Sequence, residues 1–258
     1  MGDRETNNNG LLHSFCRSMT NRLLFSALLL LVMSARAQEA KTPSRFRLGV
    51  NASPDMVYRT LAPTEHNDFI DGYVDAKNDV EQPRSGYTTT LFIAYTINKH
   101  FGLEAGLGYA LRGWQIDLSK LTFGDAIEPR RGFIYTTNEG ELRAIRRDFR
   151  YLNLPLRATF SIGKGRTRCI TSLGIEVNYL LKATSTLVFD ERSRTEVPGY
   201  NTFNLSPTIS AGVSRSLGER YELRLEPTFR YAFLSMEDSP VNTHLWSLGL
   251  NVGFLRAF

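Results

Sequence analysis

From residue 45 onward, apolar and polar side chains alternate with a period of two in one segment after another. The clearest is 221–233, YELRLEPTFRYAF. Its odd positions are Tyr221, Leu223, Leu225, Pro227, Phe229, Tyr231 and Phe233, and its even positions are Glu222, Arg224, Glu226, Thr228, Arg230 and Ala232. Successive side chains of an extended strand point to opposite faces, so this pattern predicts a strand with one aromatic-rich apolar face and one face bearing four charges. A soluble antiparallel sheet buries its apolar face and wets its polar one. A closed transmembrane barrel does the reverse, with apolar side chains meeting lipid and polar ones meeting the lumen.

The same signature returns in seven other segments: 45–53, 86–98, 101–114, 148–162, 167–183, 203–214 and 244–258. In 203–214, for example, Phe203, Leu205, Pro207, Ile209, Ala211 and Val213 alternate with Asn204, Ser206, Thr208, Ser210, Gly212 and Ser214. The connections run long, short, long, short, long, short and medium; the long polar ones are 54–85, 115–147 and 184–200, all read as loops. Short turns at one end and longer loops at the other are the asymmetry of outer-membrane barrels. The prediction is therefore an all-β fold, an eight-stranded antiparallel transmembrane β-barrel with both termini in the periplasm. A further hairpin inside either of the first two long loops would raise the count to ten.

The chain before the first strand reads differently. Residues 23–33, LLFSALLLLVM, form an apolar run of eleven behind Arg22, ending at Ser34-Ala35-Arg36-Ala37. A spanning helix needs about twenty apolar residues, so this run predicts a secretory signal peptide, 1–37, with the barrel at 38–258. The lead-in before the run is long, and Met19 is the alternative start. Hydrophobic content of 42% and a mean hydropathy of −0.24 would suit a soluble protein equally well. A barrel hides its membrane signal in alternation, so bulk hydropathy decides nothing here. Past the leader only Cys169 remains, which excludes an intramolecular disulfide. The net charge of +5 is scattered over strands and loops, and export removes nucleic acid as a partner.

The run 149–165, FRYLNLPLRATFSIGKG, continuing through 172–181, SLGIEVNYLL, resembles the outer membrane protein β-barrel domain family of Bacteroidota, which includes the PorT-like proteins. The recurrent pattern is Tyr-Leu-x-x-Pro-Leu, a glycine-rich turn and a Gly-x-x-x-x-Tyr-Leu-Leu strand, met at Tyr151 to Leu156, Gly163 to Gly165 and Gly174 to Leu181. The resemblance covers most of residues 45–258. It implies an outer-membrane barrel and, through PorT, a link to type IX secretion components, with no catalytic residues to carry over. The final strand ending on Phe258 resembles the signal by which barrel proteins meet their assembly machinery.

Candidate chemistry falls in three places. The inward set holds Arg47, Glu104, Arg112, Arg157, Glu176, Glu222, Arg224, Glu226 and Arg230. An eight-stranded interior is just wide enough for side chains to fill, and buried charges must pair. These nine are therefore expected to form an ion-pair network plugging the lumen; a narrow pore is the alternative. Arg143, Arg146, Arg147 and Arg150, with Arg130 and Arg131 nearby, gather at the second long loop, a level suited to lipopolysaccharide phosphates and outer-membrane lipid. The competing reading is a solvated basic loop balanced by Glu128, Glu139, Glu141 and Asp148. Trp114, Tyr109, Tyr151, Trp246 and Tyr179 are expected in the interfacial aromatic girdles. An enzyme would need a base, and the histidines past the leader are His66, His100 and His244. A pairing of His244 with Ser235, Ser239 or Ser247 is the arrangement weighed. The expectation is no enzyme, no cofactor and no metal site, since one cysteine and three dispersed histidines make no zinc pattern.

Overall fold

The structure is a computed structural model describing residues 45–117, 144–188 and 192–258. The leader 1–37 and Arg130, Arg131 and Arg143 lie outside the described residues. In chain order the elements are β1 (Phe46–Pro63), α1 (Asp68–Val80), β2 (Glu81–Thr96), β3 (Phe101–Asp117), β4 (Ala144–Ile162), β5 (Thr167–Val188), β6 (Arg192–Glu196), β7 (Phe203–Leu217), β8 (Tyr221–Tyr231) and β9 (Val241–Ala257).

Every pairing is antiparallel, and the ring closes. β1 pairs with β2 on one side and β9 on the other, and the order β1-β2-β3-β4-β5-β7-β8-β9 returns to β1. Eight strands make the ring; β6 stands outside it, paired only with the far end of β5. Closure leaves no ring strand with an unpaired edge, which is the condition for placing backbone amides in lipid.

Alternation holds through the ring. Leu91, Ile93, Leu103, Leu107, Leu154, Leu156, Ile209, Leu225, Phe229, Leu250 and Val252 are exposed on the outer face, whereas Thr88, Glu104, Asn153, Glu176, Ser206, Glu226 and Asn251 are buried inside. Among the described residues no helix is long and apolar enough to cross a membrane. Cys169 lies exposed on the outer face as a free thiol.

The region 54–85 departs from the loop expected there. β1 runs on to Pro63, burying Asp55, Val57 and Arg59 inward, and β2 begins at Glu81. Charged residues that look loop-like in the sequence are lumen residues with partners. Between them lies α1, where the Asn67 side chain accepts from the Ile70 amide at 2.9 Å, with Asp68 and Asp71 in the first turn and Lys77 in the last. Cap and charges both complement the helix dipole. The extra strand, β6, arises in the third long connection.

Glycine makes room where the lumen is crowded. Gly249 faces Asp55 across the β1–β9 pair, and a Cβ there would collide with the Asp55 carboxylate and the Ser53 hydroxyl. Gly49 likewise leaves space for the ring of Phe92. Gly249→Ala should therefore destabilise the barrel by roughly 1–3 kcal/mol, the usual cost of overpacking, whereas Gly72→Ala in the open helix α1 should not. The check is the temperature at which the fast-migrating folded band converts to the slow unfolded one on gels.

Candidate functional site: the lumen

Eight strands project their inward side chains into one narrow space, and β8 contributes the most charge to it. Glu222, Arg224, Glu226 and Arg230 all lie on its lumen face and are all buried. The charges sort into three groups along the barrel.

Nearest the short turns, Glu222 takes ion pairs from Arg47, from Arg168 at 3.5 Å and from Arg224 at 2.6 Å. Arg224 also pairs with Glu104 of β3, diametrically across the ring. Arg157 then joins Glu104 at 3.1 Å to Glu226 at 3.2 Å. Glu226 accepts hydrogen bonds from Ser172 at 3.1 Å and Ser210 at 2.9 Å.

The second group is built on Glu176, whose two oxygens receive Arg112 at 2.8 Å and Arg230 at 2.9 Å. Arg230 reaches on to Asp55 at 3.2 Å, and Asp55 accepts from Ser53 and Thr88, each at 2.6 Å. Toward the long loops, Arg59 pairs with Glu81 and donates to Asn78 of α1 at 2.7 Å. All nine charged residues singled out from the sequence lie in these groups. Asp55, Arg59, Glu81 and Arg168 join them, and were missed because three fall in the stretch read as loop.

Above the first two groups, level with the Arg59–Glu81 pair, lies an apolar layer. Trp114 stacks on Phe149 with centroids 5.2 Å apart, and Tyr200 meets Phe149 edge-on at 4.8 Å. Val57, Ala110, Tyr151, Met236 and Leu245 complete it. Met236 and Tyr200 come from connections laid over the mouth: the Asn201 amide donates to the Met236 carbonyl at 2.7 Å, and the Asn204 side chain donates to the Leu234 carbonyl at 2.7 Å. Burial there pushes the Tyr200 hydroxyl pKa above its usual value. An internal pocket lined by Asn51, Thr90, Phe92, Glu104 and Arg157 has a volume of about 10 Å³, the space of one water.

Trp114 and Tyr151 are therefore not girdle residues. Trp114 shares the inward parity of Arg112, and Tyr151 that of Asn153, so both are buried in the lumen layer, 5% and 3% exposed. Tyr109, Tyr179 and Trp246 do face outward. Of the loop arginines, Arg147 is the cross-strand partner of Trp114 and points inward, whereas Arg146 and Arg150 lie on the outer face. The described histidines lie on three separate features. His66 bonds Asp71 at 3.0 Å, and His100 bonds the Ser161 carbonyl at 3.0 Å. His244, on the outer face, stacks on Tyr231 and bonds the Ala232 carbonyl at 3.1 Å. Ser247 is buried inside, on the opposite face of β9 from His244. Among the described residues no group of three or more His, Cys, Asp or Glu side chains is placed to hold a metal.

Arg224→Ala would leave Glu104 and Glu222 short of a buried counter-charge, a loss of about 3–5 kcal/mol. Lys182→Ala removes only an exposed pair with Glu196 and should cost less than about 1 kcal/mol. Urea titration of the folded band in detergent measures both.

The outer membrane protein beta-barrel domain family matches residues 36–239. Among solved structures the chain is similar to Neisserial surface protein A, at 11% identity and TM-score 0.43, covering 83% of this chain and 98% of that one. It is similar to the outer membrane protein OprG from Pseudomonas aeruginosa, at 12% identity and TM-score 0.43, covering 84% and 97%. It is also similar to the outer membrane protease OmpT from Escherichia coli, at 10% identity and TM-score 0.43, covering 86% and 99%. Among curated proteins no relative matches the chain. With a closed antiparallel ring, an apolar outer face and a match over most of its length, the chain belongs to the outer membrane protein β-barrel domain family and resides in the outer membrane.

Proposed function

We propose that this outer-membrane barrel is a closed, non-enzymatic structural and interaction protein of the envelope, with its long connections outside the cell and its short turns and both termini in the periplasm. The observation that carries the reading is the filling of the lumen. Ion pairs occupy it from Arg47 and Glu222 near the short turns to Arg59 and Glu81 near the long connections, and the Trp114–Phe149–Tyr200 layer packs at the level of that last pair. Solute passage would have to break buried charge pairs, each costing several kcal/mol. Support for the non-enzymatic part comes from the three described histidines, which sit on different features with local partners.

With the lumen filled, the surfaces left for partners are the two ends and the outer face. That is also where a PorT-like role in secretion, the second reading, would have to act; it rests on the Tyr151 to Leu156 and Gly174 to Leu181 motifs. Loss of exported proteins in a deletion strain would favour that second reading.

In a planar bilayer the refolded protein should give no discrete conductance steps. Stable unitary openings would overturn the closed-lumen reading and make the narrow pore the function.

A further inference from the structure

The lumen network leaves unexplained a group of cations on the outer face of β2 to β6, directly above the apolar band. Arg112 points inward against Glu176, so alternation along β3 sends Leu111, Gly113 and Gln115 outward. Their partners on β4 are Arg150, Asp148 and Arg146. β5 continues these rows with Lys182, Thr184 and Thr186, and β6 continues the last two with Glu196 and Arg194. Arg84 of β2 reaches across β3 to pair with Asp148, at the level of Gly113. Arg194 donates to Thr184 at 3.1 Å, and Lys182 pairs with Glu196 at 2.6 Å.

This face therefore holds Arg84, Arg146, Arg150, Lys182 and Arg194 against Asp117, Asp148 and Glu196, an excess of two positive charges. Arg146 and Arg194 lie close enough for their charges to act on Arg84. Among the described residues neither Arg146 nor Arg150 has a carboxylate partner. Like charges gathered this way repel unless they share an anion.

The height of the patch says which anion. One row below Arg150 and Lys182 lie Tyr109, Leu152, Tyr179 and Phe203, paired strand to strand. Tyr179 meets Phe203 at 5.1 Å and Tyr109 meets Tyr87 at 6.2 Å, forming an outward aromatic row of the kind that marks a membrane interface. From that row to Arg150 is two residues, about 7 Å of strand, and from Arg150 to Arg146 about 13 Å more. The cations thus span the head-group layer, on the long-connection side. Guanidinium groups bind phosphate oxygens in pairs.

We propose that this face binds the phosphate groups of lipopolysaccharide in the outer leaflet, with Arg146, Arg150 and Arg194 as the contacts and Arg84 held in place by Asp148. The site rests on the long connections facing outward, and its test does not depend on whether the lumen conducts. The probe is labelled lipopolysaccharide titrated onto the full folded barrel in detergent, alongside the same lipid with its phosphates removed.

Replacing Arg146, Arg150 and Arg194 together by Gln should weaken binding by roughly a hundredfold, the loss of three cations from an anionic lipid surface. A control with Lys164, Arg166 and Arg220 replaced by Gln removes the same charge at the short-turn end and should bind as wild type. The wild type should bind dephosphorylated lipid as weakly as the triple variant binds the intact lipid. Replacement of the three arginines by Lys keeps the charge and should fall between. This variant also serves as the test if the Gln form fails to give a folded band. Equal affinity of wild type and the triple Gln variant, equal loss in the control, or no dependence on phosphate would each overturn the site.

Discussion

The structure depends on the pairing of guanidinium and carboxylate groups inside a ring too narrow to hydrate them. Seven arginines (Arg47, Arg59, Arg112, Arg157, Arg168, Arg224 and Arg230) meet six carboxylates (Asp55, Glu81, Glu104, Glu176, Glu222 and Glu226) in the described lumen. A buried charge without its partner is worth several kcal/mol against folding. The network therefore acts as a register lock as much as a source of stability. Slipping one strand by one residue would turn its charges to lipid and its leucines to the lumen. β8 is the keystone, because its four charged side chains connect to β1, β3, β4, β5 and β9.

Layering within the lumen follows from the same constraint. Charges run from the short-turn end to the Arg59–Glu81 pair, and side chains from opposite walls meet, as Glu104 and Arg224 do across the diameter. Aromatic and aliphatic groups join them at the long-connection end, where Tyr200 and Met236 fold in from connections tied together through Asn201 and Asn204. Phe92, Ala94 and Leu255 form a second, smaller apolar group. On the outside the strands outrun the apolar band and carry Arg84, Arg146, Arg150 and Arg194 beyond the aromatic row of Tyr109 and Tyr179.

Much of this was legible as alternation. Once Arg112 was read as inward, the parity of β3 already required Trp114 to be inward too, and Asn153 required the same of Tyr151. The general habit of aromatics points both toward the interfacial girdles, but the strand's own period overrides it. The stretch 54–63 was harder. Asp55 and Arg59 resemble loop residues until Arg230 and Glu81 are seen to neutralise them, and those partners lie 175 and 22 residues away. α1 carried a local signal in Asn67, Asp68 and Asp71, obscured by Gly72 and the polar composition around it.

The sequence by itself determined the face of each strand it marked and pointed to eight of them, because a period of two is written in neighbouring residues and needs no knowledge of distant ones; ring closure at eight was decided by the structure. It determined the membrane as well, since a long apolar face rich in aromatics on every strand has no other solvent. Only the tertiary structure decided which arginine meets which carboxylate, that β6 stands outside the ring, and that Arg146 and Arg147, adjacent in the chain, belong to opposite sides of the wall with different partners. Pairing across a closed ring is set by stagger and diameter, which are properties of eight strands at once and of no single segment.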